Sequence, residues 1–333
     1  MAVFFGTDDA EDIFGTVEAD TIYGAAGNDF LSGLNGDDII YGEAGNDSLS
    51  GGLDQDVLYG GEGNDTFNAT GGDGDFLYGG MGDDLYVISV GDSLTQLFED
   101  PNQGIDTVRS SLSYTLSDNV ENLALTGAAI EGNGNDLKNQ ITGNNSNNIL
   151  RGWSDNDNID GRAGDDNIDG GFGYDISNGG AGLDKFIFNM TLSGVDTIND
   201  FLVGTDKIVL NRYFFSALET FAGSPLVDGD FAVISTIPAA EQLVAATSSN
   251  EIVYNRVTGN LFYNQNNATA GFGVGGGRFA KIVGSPDNFS NQDILTFWGF
   301  APALCWERVV LWLALSDRET LSKRFPNSLV PIP

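Results

Sequence analysis

An aspartate recurs every nine residues through much of this chain. Nearly all are followed by any–apolar–any and preceded by a run rich in glycine and Asn/Asp. Gly24-Ala25-Ala26-Gly27-Asn28-Asp29-Phe30-Leu31-Ser32 is one such unit, Gly33 to Tyr41 the next and Gly42 to Ser50 the one after. The sixth-position carboxylates are Asp20, Asp29, Asp38, Asp47, Asp56, Asp65, Asp75 and Asp84 in a first series, and Asp157, Asp166, Asp175 and Asp184 in a second. A carboxylate held in fixed register with the backbone carbonyls of glycine turns makes a set of hard oxygen donors. Such donors suit Ca²⁺, which takes them at ~2.3–2.6 Å. These twelve aspartates are therefore the candidate metal ligands. The competing reading is a set of glycine-rich turns whose acids are merely solvated.

The elements that must position these carboxylates follow from the same unit. Glycine, Asn and Asp in the first six positions tolerate positive φ and allow a tight turn. The last three residues form a very short strand whose neighbours point to opposite faces. Its central apolar residues are Ile22, Leu31, Ile40, Leu49, Leu58, Phe67, Leu77 and Tyr86. They fall on one side of every strand and are expected to face inward. A fixed nine-residue period indicates a solenoid. With two units per coil, each turn stacks on the turn two units later, pairing Asp20 with Asp38, Asp29 with Asp47, Asp38 with Asp56, Asp47 with Asp65, Asp56 with Asp75 and Asp65 with Asp84. The second series adds Asp157 with Asp175 and Asp166 with Asp184. That predicts roughly eight ions, with interior aspartates shared between sites. Like charges ~4 Å apart near a surface repel by about 1–4 kcal/mol. Folding and cation binding are accordingly expected to be one event.

Composition removes several function classes. The net charge is −34, and residues 1–108 hold 23 Asp and Glu with no Lys or Arg. Nucleic acid as a partner requires a basic footprint and is excluded. There are no histidines, which excludes His-based zinc sites, Ser-His-Asp triads and Cys-His dyads. Cys305 is the single cysteine, so there is no internal disulfide framework. The segment Met1 to Asp9 has neither the basic region nor the apolar run of a signal peptide. No apolar stretch is long enough for a transmembrane helix. Outside the repeats, Asp196, Asp228, Glu251 and Tyr254 are not tied into an acid–base pair by any motif, and no enzymatic activity is expected.

The organisation reads as five segments. Residues 1–87 form a first repeat block, with degenerate opening units and one extra residue between Asp65 and Asp75. Residues 88–133 break the period and read as a β spacer. Residues 134–187 form a second block, whose first two sixth positions are the amides Asn139 and Asn148. An amide brings no charge, so those units are expected to be structural rungs. Residues 188–300 read as a mainly-β region, with a short helix near Ala239 to Thr247 and a hairpin about Thr258-Gly259-Asn260. Asp196, Asp200 and Asp206 read there as exposed turn acids, with a further metal site as the alternative. Residues 301–333 form an atypical tail, helical or disordered. On the outward strand positions, Tyr23, Tyr41, Tyr59 and Tyr78 fall in alternate units. They form a ladder that stabilises the sheet or docks another domain or partner.

The units resemble those of the RTX, or haemolysin-type calcium-binding, superfamily. The segment Asp196 to Leu210 and the Thr258-Gly259-Asn260 hairpin are similar to the C-terminal region of serralysin-type metalloproteases. The protease domain is absent, there being no His for its zinc motif. The resemblance implies an all-β fold, a right-handed parallel β-roll in two blocks with a mixed, mainly-β C-terminal cap. It also implies a bacterial protein, extracellular or at the cell surface, exported by the type I secretion machinery and folding on extracellular Ca²⁺. The alternatives are a non-catalytic part of a secreted hydrolase and a surface adhesin. The Trp- and Arg-bearing tail after Asp293-Ile294-Leu295-Thr296-Phe297 departs from the family pattern.

Overall fold

The computed structural model describes residues 1–297 apart from 70, 72–73, 90–94, 191–193, 219–221, 228, 247, 266–271 and 273–275. The reading of 301–333 as helical or disordered lies outside the described residues. Every x-apolar-x triplet of the repeats lies in a strand, and alternate strands belong to the same wall. One wall is a 15-stranded sheet that starts at Asp12–Phe14 and runs the length of the molecule. The facing wall is built from two sheets in succession. A six-stranded sheet runs from Val3–Phe5 to Gln96–Phe98, and a seven-stranded sheet from Tyr114–Thr115 to Ile294–Phe297. The architecture is a right-handed parallel β-roll.

Register shows directly that two units make one coil. Thr21 pairs with Ile39, Ile22 with Ile40 and Tyr23 with Tyr41, and on the other wall Leu31 pairs with Leu49. The central residue of each strand points inward. Ile22, Leu31, Ile40, Leu49, Leu58, Phe67, Leu77 and Tyr86 are all completely buried. The extra residue after Asp65 widens the coil locally, so that Val57 pairs with Phe76.

The interval between the repeat blocks continues the roll. Thr107–Ser110 pairs in parallel with Leu85–Ile88 on one side and with Asn122–Leu125 on the other, and Asn122–Leu125 pairs with Gln140–Thr142. Here the nine-residue rule gives way to one wider coil and one narrower coil, with Asp84 and Asp106 separated by 22 residues and Asp106 and Glu121 by 15. The strands stay aligned because the inward residues Val108 and Leu123 occupy the same core column.

Beyond the second block, Asp196–Ile198 and Lys207–Asn211 fall on opposite walls and add another coil, pairing with Ile176–Asn178 and Lys185–Phe188. The hairpin is formed by Ile252–Asn255 and Asn260–Tyr263, antiparallel, with Gly259 at φ 76° in its turn. The short helix is Glu241–Ala246. Phe215, Tyr254, Tyr263 and Phe289 join the core of the roll and close its end.

The alternate-unit tyrosines stack on the outer face of the six-stranded wall. Phe5, Tyr23, Tyr41, Tyr59, Tyr78 and Phe98 form one column, with successive ring centroids 5.2, 4.9, 4.9, 4.8 and 4.8 Å apart. Parallel in-register pairing imposes this spacing, because identical positions on neighbouring strands sit one strand separation apart. An aromatic pair is worth about 0.5–1.5 kcal/mol beyond area burial, and Tyr59 makes two. Tyr59→Ser is expected to lower the stability of the calcium-loaded protein by about 1–3 kcal/mol, read from denaturant unfolding. Unchanged unfolding would show that the stacked rings contribute nothing.

Candidate metal centre

In the unit Gly24 to Asp29 the chain turns at Ala25 (φ 78°) and Gly27 (φ 119°) and then delivers Asp29 into the interior. One carboxylate oxygen of each sixth-position residue is used by the stack. The Asp29 N–H donates to Asp47 Oδ1 at 2.8 Å, and Asp47 N–H donates to Asp65 Oδ1 at 2.8 Å. The same bond joins Asp20 to Asp38, Asp38 to Asp56, Asp56 to Asp75 and Asp65 to Asp84 at 2.7–3.0 Å. In the second block it joins Asp157 to Asp175 and Asp166 to Asp184, at 2.9 Å each. All eight pairs expected from the spacing are brought together. The carboxylates interlock through the backbone, each accepting from the aspartate one coil earlier.

The other oxygen is what gives the column its chemistry. Oδ2 of Asp29, Asp38, Asp47, Asp56, Asp65, Asp84, Asp157, Asp166, Asp175 and Asp184 is buried and receives no hydrogen bond. A methyl at Gly24 would lie 2.7 Å from Asp29 Oδ2 and 2.7 Å from the Gly42 carbonyl oxygen of the next coil. A free carboxylate oxygen and a backbone carbonyl thus converge beside a glycine that leaves the space open. Burial of charge, chiefly, and the neighbouring aspartates raise these carboxyls: Asp38 and Asp175 to about 6, Asp65 and Asp166 to about 7, and Asp56, Asp84 and Asp157 to about 8. Buried anions of this kind require a proton or a cation. The donors are oxygen alone, carboxylate and carbonyl, which fits Ca²⁺ and not a soft or imidazole-seeking metal.

The chain carries its own comparison. At Asn139 and Asn148 the amide replaces the carboxylate. Asn139 Nδ2 donates to the carbonyls of Val120 and Glu121 at 3.2 and 3.1 Å, and Asn148 Nδ2 to those of Ala129 and Ile130 at 3.1 and 3.4 Å. The amide hydrogens take the carbonyls of the preceding coil, where a cation would sit in an aspartate unit. The backbone differs with them. Asn135 and Asn144 N–H groups close onto Asn139 and Asn148 Oδ1 at 2.8 Å. In the aspartate units whose second oxygen is bare the corresponding second residue lies in the left-handed region even when it is Leu34 (φ 84°), Glu43 (φ 73°), Trp153 (φ 81°) or Arg162 (φ 70°). Bulky residues rarely adopt that conformation. These loops are held open and the amide loops are closed.

Asp20 departs from the role expected of it. Its Oδ1 accepts from Ala2 N–H at 2.6 Å, and its Oδ2 from both the N–H and the hydroxyl of Thr16 at 2.7 Å. Those donors, Ala2 first, hold its carboxyl below the usual range. It is a closed rung at the start of the stack. The reading of Asp196 and Asp206 as exposed turn acids is corrected. Both are buried, and they accept from Asp175 and Asp184 N–H at 3.2 Å, extending the two columns. Asp206 Oδ2 is closed by Leu202 N–H. Asp200 is exposed and accepts from Gly179 and Gly180 N–H.

Three further members escaped the spacing. Asp106 accepts from Asp84 N–H at 2.8 Å and itself donates to Glu121 Oε2 at 2.8 Å. Glu99 lies beside Asp84. A second, outer column was also missed: Asn28, Asn46 and Asn64 side-chain oxygens accept from the N–H of Asn46, Asn64 and Asp83 at 2.8–2.9 Å. The available signal for Asp106, Asp196 and Asp206 was Gly-x-Asp-x-apolar-x, at Gly104, Gly194 and Gly204, without the opening glycines of the unit.

The model of the RTX calcium-binding nonapeptide repeat matches residues 5–40, 32–67, 59–87, 132–167, 142–177 and 154–186. These are RTX repeats. Among solved structures, the chain is similar to an extracellular lipase, LipA, from Serratia marcescens, at 17% identity and a TM-score of 0.23. The likeness covers 85% of this chain and 40% of the lipase chain, so the chain spans well under half of that protein's length. No curated protein matches the sequence. The calcium of RTX repeats fits the open aspartate units and has no such opening at Asn139 or Asn148.

Two outcomes follow from the buried carboxyls. A carboxyl with a folded-state pKa of about 6–8, against about 4 in the unfolded chain, takes up protons preferentially when folded. The charge penalty on the chelated roll is therefore full above pH 8 and relieved as pH falls toward 4. With chelator present, sheet content by circular dichroism and the melting temperature are expected to rise from pH 8 to pH 5. A fall would contradict the buried-charge account. Asp56→Asn supplies amide donors in place of the strongly raised carboxyl. It is expected to bind fewer calcium ions than the parent while gaining stability in chelator at pH 7.5, by calorimetry and thermal melting.

Proposed function

We propose that this chain is a secreted or cell-surface bacterial protein whose RTX repeats bind Ca²⁺ outside the cell and fold on doing so. The observation that carries this reading is the row of buried, unpartnered aspartate oxygens in repeats of calcium-binding type. Without a cation, ten such charges lie in a narrow stack with no buried basic side chain opposite them among the described residues. With a cation at each opening, the carbonyls and carboxylates are satisfied together.

Export before folding is consistent with the same chemistry. Calcium is scarce in the cytosol, so the acidic repeats stay open there. They close where calcium is abundant, after passage through a type I secretion channel. The first 108 residues contain no lysine or arginine that could pair with the aspartates and fold the roll prematurely. None of the described helices is long and apolar enough to cross a membrane. In this reading the chain holds on the order of seven or eight ions, one for each stacked pair other than that of the closed Asp20 and one at most beside them, and acts by binding and folding rather than by catalysis.

A calcium titration of the purified chain, with far-UV circular dichroism and a metal count, tests the reading. A cooperative gain of sheet and a count near eight are expected. If chelator-stripped protein at pH 7.5 kept the sheet content and melting behaviour of the calcium-loaded form, calcium-driven folding would be refuted.

A further inference from the structure

The first repeat block ends in an arrangement that the nonapeptide does not encode. Phe98 pairs with Tyr78, so Glu99 stands in register with Gly79. The preceding coils have glycine at this position, at Gly24, Gly42 and Gly60. A glycine there leaves the cradle open, whereas Glu99 sends a side chain back into it. The ideal Cβ position of Gly79 is crowded by Asp84 Oδ2, Glu99 Oε1 and the Tyr86 hydroxyl together. Asp84, Glu99 and Asp106 each offer an oxygen, and these oxygens lie within 4.8 Å of one another.

Two features mark this cluster as a ligand site rather than a set of crowded acids. Asp84 Oδ2 and Glu99 Oε2 are buried and have no hydrogen-bond partner, with Asp84 2% and Glu99 9% exposed. Tyr86 occupies a core position that is aliphatic or Phe in the earlier units, stacks on Phe67 at 4.8 Å, and donates its hydroxyl to Glu99 Oε1. The glutamate is also anchored through its backbone, whose carbonyl accepts from Asn119 Nδ2 at 2.8 Å. No Lys or Arg forms an ion pair with these carboxylates among the described residues.

We propose that Asp84, Glu99 and Asp106, with Tyr86 orienting the glutamate, form a separate calcium site at the junction between the first block and the spacer. Three carboxylates with only oxygen donors select a hard divalent cation, and irregular geometry suits Ca²⁺ better than Mg²⁺. The site carries more negative charge than a repeat cradle, where a backbone carbonyl stands in place of the glutamate. It joins the last regular unit to two residues beyond it, across the coil whose length departs from the nine-residue rule. The cation thus substitutes for the missing repeat at the joint.

The test is a count of tightly held metal on the full chain, refolded in calcium and desalted, for the parent and Glu99→Gln. Loss of one ion per chain is expected in the variant, with the remaining ions and the sheet signal retained. Loss of even an outer partner weakens metal sites by about 10–100-fold, so the slowest ion released to chelator is expected to vanish with it. An unchanged count and unchanged release would overturn the site and leave a proton-sharing polar network. Should Glu99→Gln fail to fold, Glu99→Asp, which keeps the charge but shortens the reach, is expected to release one ion at least about tenfold faster. Unaltered release in that variant would equally overturn the proposal. Failure of the parent to bind any calcium would refute the repeat reading instead, so the two outcomes are distinct.

Discussion

A carboxylate oxygen with nowhere to send its charge governs this structure. Each open coil buries an aspartate, uses one oxygen to accept the backbone N–H of the aspartate before it, and leaves the other bare. In a low-dielectric interior an ion in that position is costly unless neutralised. The hydrophobic column of Ile22, Leu31, Ile40, Leu49 and Leu58 holds the coils in register, but it does nothing for the charge. Packing therefore sets the geometry of the column, and neutralisation sets the conditions under which that geometry is stable.

The two asparagine rungs show how local the requirement is. Exchanging a carboxylate for an amide replaces an acceptor-only group with one that both accepts and donates. The amide hydrogens then reach the carbonyls of the previous coil, and the second residue of the turn returns to ordinary backbone. In the aspartate units, left-handed leucine, glutamate, tryptophan and arginine persist in their place. A turn whose second residue donates its N–H to the sixth-position side chain keeps ordinary backbone, whether that side chain is an amide, as at Asn139, or a carboxylate, as at Asp20, and the left-handed turns go with a bare second oxygen. The roll thus alternates between stretches that need an ion and stretches that supply their own hydrogen bonds, and the spacer lies next to the latter.

Much of this was legible in the residues. The nine-residue period specified alternate-wall pairing, the inward column and all eight carboxylate pairs, because parallel in-register stacking repeats whatever the unit repeats. The tyrosine column followed for the same reason. What escaped the period was whatever departed from it. Asp106, Asp196 and Asp206 lack the opening glycines of the unit but keep its second glycine and its strand triplet, and they stack because those strands pair in register with the coil before. Glu99 and Tyr86 were invisible as partners because they meet only through the register of Phe98 against Tyr78. Asp20 carried the full sixth-position signal but is closed by Thr16, whose N–H and hydroxyl both reach its second oxygen.

The amino-acid order by itself determined the chemistry of the ligands and their spacing along the chain. Oxygen donors, glycine turns and absent histidine are properties of residues, and a solenoid converts sequence separation directly into distance. Which carboxylates stand open was decided only by the folded structure. That depends on whether a backbone N–H or an amide from a neighbouring coil reaches the second oxygen. Such a contact between stacked turns is a property of their three-dimensional register, and no single unit contains it.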